Sequence, residues 1–175
     1  MRHLLFALLL AIATPLWAAP ALADSARELT WSELIPEGAP PQAPQQAPMH
    51  DLSQLADALA AESGPAAQQS APDAPVVKDL DNQQIKLPGY IVPLDVTEEG
   101  RVTEFLFVPY FGACIHVPPP PSNQIVHVTS ELGVQMDALY QPFWIEGPLR
   151  VEATDSEMGS AGYKMTAEKI YAYEM

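Results

Sequence analysis

Phe105-Leu-Phe-Val-Pro-Tyr-Phe-Gly-Ala-Cys-Ile-His-Val-Pro-Pro-Pro-Pro-Ser-Asn-Gln124 is the stretch on which the reading of this chain turns. Its opening belongs to a run from Val102 to Tyr110, rich in β-branched and aromatic residues, that reads as a β-strand. A Gly112-Ala113 bend leads to Cys114, the one cysteine of the chain, with His116 two residues further on. Pro118 to Pro121 follow. Proline fixes φ and has no N–H, so this run predicts a stiff polyproline rod with free carbonyl acceptors. Val117, before a proline, is pushed towards extended geometry as well.

Outward from this stretch the pattern stays β. Gln84 to Leu94 reads as a preceding strand, with Pro88-Gly89 suggesting a bulge or an edge position. Glu98 to Arg101 is a turn. Gln124 to Val128 is a third strand, and Thr129 to Pro142 a connection with about one helical turn. Phe143, Ile145, Gly147, Leu149 and Val151 alternate with polar or larger partners, the pattern of a half-buried antiparallel strand. Gly162 to Glu174 is a long last strand whose apolar phase slips, which places a bulge near Glu168-Lys169. Five strands with a connection after the third predict a mainly β fold, a small OB-like barrel, with a β-sandwich as the alternative.

The N-terminal part differs in character. Arg2 and His3, an apolar run to Trp17 and the small residues Ala21 and Ala23 read as a signal peptide over residues 1–23. The apolar run is shorter than the about 20 residues of a membrane span. No cysteine follows it, so a soluble, non-lipidated exported product is expected. Residues 24–75 read as a docking segment around Trp31, a Pro/Gln/Ala linker over Pro36 to Pro48, a short helix over Asp51 to Ala60, and a second linker over Glu62 to Pro75. The β domain is expected from Val76 to Met175.

The formal net charge is −14, and losing Arg2 makes it more negative. That balance argues against nucleic acid, where a basic face must displace counterions from phosphate. It suits solubility and cationic partners.

Cys114 cannot close a disulfide within the chain, so other roles come forward. In an extended segment alternate residues project to one side, which would let Cys114 and His116 meet one ion. Thiolate and imidazole together suit zinc or copper. A zinc site wants three or four protein ligands. His127 is the leading addition, and Asp95, Glu98, Glu99 and Glu104 are further candidates. The plain alternative is a small buried Cys114 that packs as a hydrophobe, with His116 bonded to a loop carbonyl. A third option is a nucleophilic thiol, activated by His116 or His127, with Asn123 or Gln124 orienting the ring. The prolines read as a connector packed on Tyr110 or Trp144 more readily than as a ligand for a partner's groove. If Val126 and Val128 face the core, His127 faces loop or solvent.

Trp31-Ser-Glu-Leu-Ile-Pro36, Gly89-Tyr-Ile-Val-Pro-Leu-Asp95 and the Cys-Ile-His-x-Pro-Pro-Pro-Pro-x-Asn-Gln motif resemble a bacterial exported family known as a domain of unknown function, DUF3299. The resemblance extends to the last two strands. It implies a periplasmic or lipid-anchored protein, and in some members company with ABC-type export or metal-related transport components. The expectation is a periplasmic accessory or binding protein without an integral membrane span. It would be associated with an ABC-type envelope transporter and would hold zinc or copper at Cys114, His116 and His127. A purely structural adaptor and a thiol-dependent enzyme or redox protein are the alternatives.

Overall fold

The structure, a computed structural model, describes residues 26–39, 68–114 and 118–173. The signal segment, the helix expected over Asp51 to Ala60 and His116 lie outside the described residues. No helix among the described residues is long and apolar enough to cross a membrane.

The fold is mainly β, as the alternation dictates. Among the described residues there are nine strands: β1 (Arg27–Glu28), β2 (Gln83–Val96), β3 (Arg101–Val108), β4 (Val126–Gln135), β5 (Phe143–Arg150), β6 (Thr154–Ser156), β7 (Gly159–Ala161), β8 (Tyr163–Thr166) and β9 (Lys169–Ala172). Neighbouring strands pair in the circuit β2–β3–β4–β8–β5 and back to β2, with β1 and β9 as additions. Only the β4–β8 step of the circuit is parallel. The circuit closes because β2 is long enough to serve two partners. Gln83 to Gly89 pairs with β5, and Tyr90 to Val96 pairs with β3.

Pro88-Gly89 sits where β2 changes partner, not at a bulge. The β2–β5 register runs without a shift through both residues, and the irregularity falls later, between Pro93 and Val96. Gly89 is needed for a different reason. A Cβ there would lie 2.6 Å from the Val108 carbonyl oxygen, 2.8 Å from Phe107 Cε1 and 3.0 Å from Trp31 Cζ2. Trp31 is held at this spot because its indole N–H donates to the Pro88 carbonyl at 2.6 Å. Leu29 and Leu34 are buried in the inner core, and Trp31 packs against it.

Two further boundaries differ from expectation. β4 runs on to Gln135 where the sequence suggested a connection, because Val134 returns to pair with Val102. The intervening residues bulge away from β3, and Arg101 holds them by donating from Nε and Nη2 to the Leu132 carbonyl and from Nη2 to that of Gly133. The long last strand is two strands, broken at Ala167-Glu168. Their amides leave for Thr129 and Glu146 carbonyls respectively, which is the physical form of the phase slip in the sequence.

Burial explains why β3 is apolar at every position from Phe105 to Val108. Phe105 and Phe107 join the inner cluster with Ile85, Leu87, Val126, Val128, Ile145, Leu149, Tyr163 and Met165. Leu106 and Val108 face the other way, into a second cluster with Val92, Ala113, Ile125 and Ala161. That outer layer is built on the loop after β3 and on the β6–β7 hairpin.

Gly89→Ala tests the close approach at the partner change. Either the backbone or Trp31 must move, and overpacking of this kind costs about 1–3 kcal/mol. A lower urea midpoint with an unchanged slope is expected; an unchanged midpoint would contradict the geometry.

Candidate functional site

The Ser122-Asn123-Gln124 end of the motif forms a buried 3-10 turn. Its backbone groups, hydroxyl and amide donors reach other segments of the chain. Ser122 N–H donates to the Ala71 carbonyl at 3.0 Å, its hydroxyl accepts from Ala74 N–H at 2.9 Å, and its carbonyl accepts from Gly162 N–H at 2.7 Å. Asn123 Nδ2 donates to the Pro75 carbonyl at 2.8 Å, and Gln124 Nε2 to the Trp31 carbonyl at 2.8 Å. These amides clamp the N-terminal segments.

The proline run behaves as the connector its chemistry predicts. Pro119, Pro120 and Pro121 are buried. Three carbonyls of the run are taken up: Pro120 accepts from Gln69 Nε2 at 2.7 Å, Pro121 from Gln124 N–H at 2.8 Å, and Pro118 from the Tyr110 hydroxyl at 3.5 Å. Gln69 also bonds Ser160 in both directions. Residues 69–75, read from sequence as linker, are thus fastened to the packed body.

Cys114 has φ +65°, a left-handed conformation that costs a non-glycine residue about 1–2 kcal/mol. It is not extended, so the argument that put Cys114 and His116 on one side of a strand loses its premise. The side chain packs on the second apolar cluster. Burial pushes the thiol up to about 11 and, with a smaller contribution from Cys114, the Tyr110 hydroxyl up to about 12. Both groups are protonated at neutral pH. An activated thiolate needs the opposite shift.

His127 does point away from the inner core, on the same side of β4 as Ile125, yet it is only 6% exposed. Its Nε2 lies 2.9 Å from Glu104 Oε1. A carboxylate oxygen accepts, so Nε2 donates to Glu104. The His127 Nδ1 is buried and has no partner among the described residues, a condition that costs a fold about 1–3 kcal/mol. Glu104 is half exposed.

The pair lines a groove of about 600 Å³ together with Pro93 and Leu94 of β2 and Thr154 to Met158 of the hairpin. Lys164 completes it, its ammonium held by Glu152 at 3.0 Å. Of the sequence-derived candidates, the groove brings together His127 and Glu104. Asp155, Glu157 and Lys164 were not foreseen, because a short polar hairpin carries no mark of what it packs over. Among the described residues no three histidine, cysteine, aspartate or glutamate side chains are grouped to hold a metal ion.

The family model described as "Protein of unknown function (DUF3299)" matches residues 31–172. The chain belongs to this family. A crystal structure of a DUF3299 family protein from Pseudomonas aeruginosa PAO1 is similar to it, at 62% identity and a TM-score of 0.75. The match covers 86% of this chain and 98% of that one. No curated protein matches the chain. Membership thus confirms the resemblance of the sequence motifs and carries no activity with it.

The thiol gives a direct check. Iodoacetamide should alkylate Cys114 far more slowly than free cysteine at pH 7, with the rate climbing as pH approaches about 11. A rate above that of free cysteine at pH 7 would reverse the reading of an inert thiol.

Proposed function

We propose that this DUF3299 protein is a non-catalytic, exported accessory protein of the cell envelope that binds a small ligand in the groove lined by Glu104 and His127. The observation that carries the reading is the Glu104–His127 pair itself: a nine-tenths buried imidazole, fixed through one nitrogen and unpartnered at the other, on the wall of an open groove. A fold bears the cost of such a group without return unless the site uses it.

Strand order supports the same place. The circuit β2–β3–β4–β8–β5, with a parallel third step, supports reading the sheet as a small OB-like barrel. In such barrels the face of the second and third strands and the loop between the fourth and fifth take the ligand. Here those elements are β3, β4 and the β6–β7 hairpin, which supply Glu104, His127 and residues Thr154 to Ser156. A volume of about 600 Å³ lies within the usual range of small-molecule sites, about 300–1,000 Å³. Export rests on the signal-like residues 1–23, and service to an ABC-type transporter on the family resemblance.

A thermal-shift screen of small polar molecules on the mature chain tests this. Ligands that raise the melting temperature of the wild type and fail to do so for His127→Gln are expected. If every stabilising ligand acts equally on both proteins, the groove is not the site.

Zinc or copper at Cys114, His116 and His127 is the second reading, favoured by the unpartnered Nδ1, since a free imidazole nitrogen is what a metal takes. Metal content by mass spectrometry, on protein purified without an affinity tag, decides it. Stoichiometric zinc or copper lost in Cys114→Ser supports the reading, and metal-free wild-type protein ends it.

A further inference from the structure

The groove's charge is lopsided. Glu104, Asp155 and Glu157 line it, against Lys164 alone, and that ammonium is already engaged by a fourth carboxylate, Glu152. The carboxylates differ in how free they are. Asp155 accepts from the Ser160 hydroxyl at 2.7 Å. Glu104 spends Oε1 on His127, and its side chain keeps 43% of its surface exposed. Its other oxygen has no partner among the described residues. Glu157 is exposed and has no described partner. The groove is also lined by the aliphatic side chains of Pro93, Leu94 and Met158 and by Thr154 and Ser156 of the hairpin.

Carboxylates that line one groove together with aliphatic side chains suit a molecule with ammonium groups joined by methylene segments. Each ammonium would take charge-assisted bonds, and the methylenes would lie on Pro93, Leu94 and Met158. His127 acts as a positioning residue. By donating from Nε2 it fixes the Glu104 carboxylate with its second oxygen free, while its own burial keeps water from that side. A polyanion is repelled by the same acids.

We propose that the ligand of this groove is a small aliphatic di- or polyamine, held by Glu104 and Glu157 and positioned through His127. The proposal rests on the groove reading above and adds the chemical class.

Isothermal titration of the mature chain with spermidine tests it, alongside 1,8-octanediol as an uncharged molecule of similar length. Saturable binding of one spermidine per chain is expected, weakened about tenfold by Glu104→Gln, as for loss of one charge-assisted hydrogen bond. Glu157→Gln should weaken it too, and it is an exposed site where folding is not at stake. The octanediol should bind at least about tenfold more weakly than spermidine. Equal spermidine binding by the wild type and both variants would mean attraction to the acidic surface at large and overturns the proposal. Octanediol binding as tightly as spermidine, and lost in His127→Gln, overturns the amine class while leaving the groove as a ligand site. Absence of spermidine binding overturns the proposal outright, and the thermal-shift screen separately decides whether the groove binds anything.

Discussion

The buried turn at Ser122-Asn123-Gln124 is the constraint on which the rest of this structure depends. Two segments, around Trp31 and over residues 71–77, contribute little to the sheet, yet Leu29, Trp31, Leu34, Val76 and Val77 pack into or onto its inner core. Their backbone carbonyls at Trp31, Ala71 and Pro75 find donors on this turn. Tyr163 adds a second tie, its hydroxyl donating to the Leu34 carbonyl and accepting from Val77 N–H, both at 2.7 Å. A buried polar group without its partner costs about 1–3 kcal/mol, against a total stability of about 5–15 kcal/mol for a domain of this size. A few such bonds therefore decide whether the N-terminal cover stays on. The proline run before the turn serves the same end, because its residues cannot donate and so leave their carbonyls for Gln69 and Gln124 to use.

The strands were legible because alternation is a local signal. Phe143 to Arg150 is buried at every odd position and less so at the even ones, as read. The partner exchange in β2 was not legible: Pro88-Gly89 looks the same in sequence whether it marks a bulge or a strand shared by two neighbours. Gly133, at φ +58°, and the residues around it hid the return of β4 to its ladder. For the site, His127 was singled out as an imidazole among valines, and Glu104 as one acid of four. What joined those two was a pairing register, which no spacing rule supplies. The Cys114–His116 argument assumed an extended backbone, and the left-handed φ at Cys114 removed that assumption. The asparagine and glutamine of the motif are the other lesson. Amides next to a cysteine and a histidine invite a catalytic reading, while their burial and partners make them fasteners.

The groove and the clamp are linked through one hairpin. Ser160 of β7 is bonded on both its backbone groups to Gln69, which also holds the proline run. Asp155, the cross-strand partner of Ser160, and Met158, at the turn of the same hairpin, line the groove. The position of the groove wall thus follows from the docking of residues 69–75, and a substitution that frees that segment acts on the site without touching it.

A strand with two partners also has consequences for how the chain folds. The β2–β3 pairing joins residues close in sequence and can form early. The pairing of Gln83 with Leu149 and Gly89 with Phe143 brings together segments that most of the domain separates, so it carries the larger loop-closure entropy. Until it forms, half of β2 and the whole of β5 present unpaired edges of apolar strands, the surface on which chains associate with one another. The nascent protein is thus most exposed to aggregation in the interval before the last strands are made, when the circuit has a seam and nothing yet to close it.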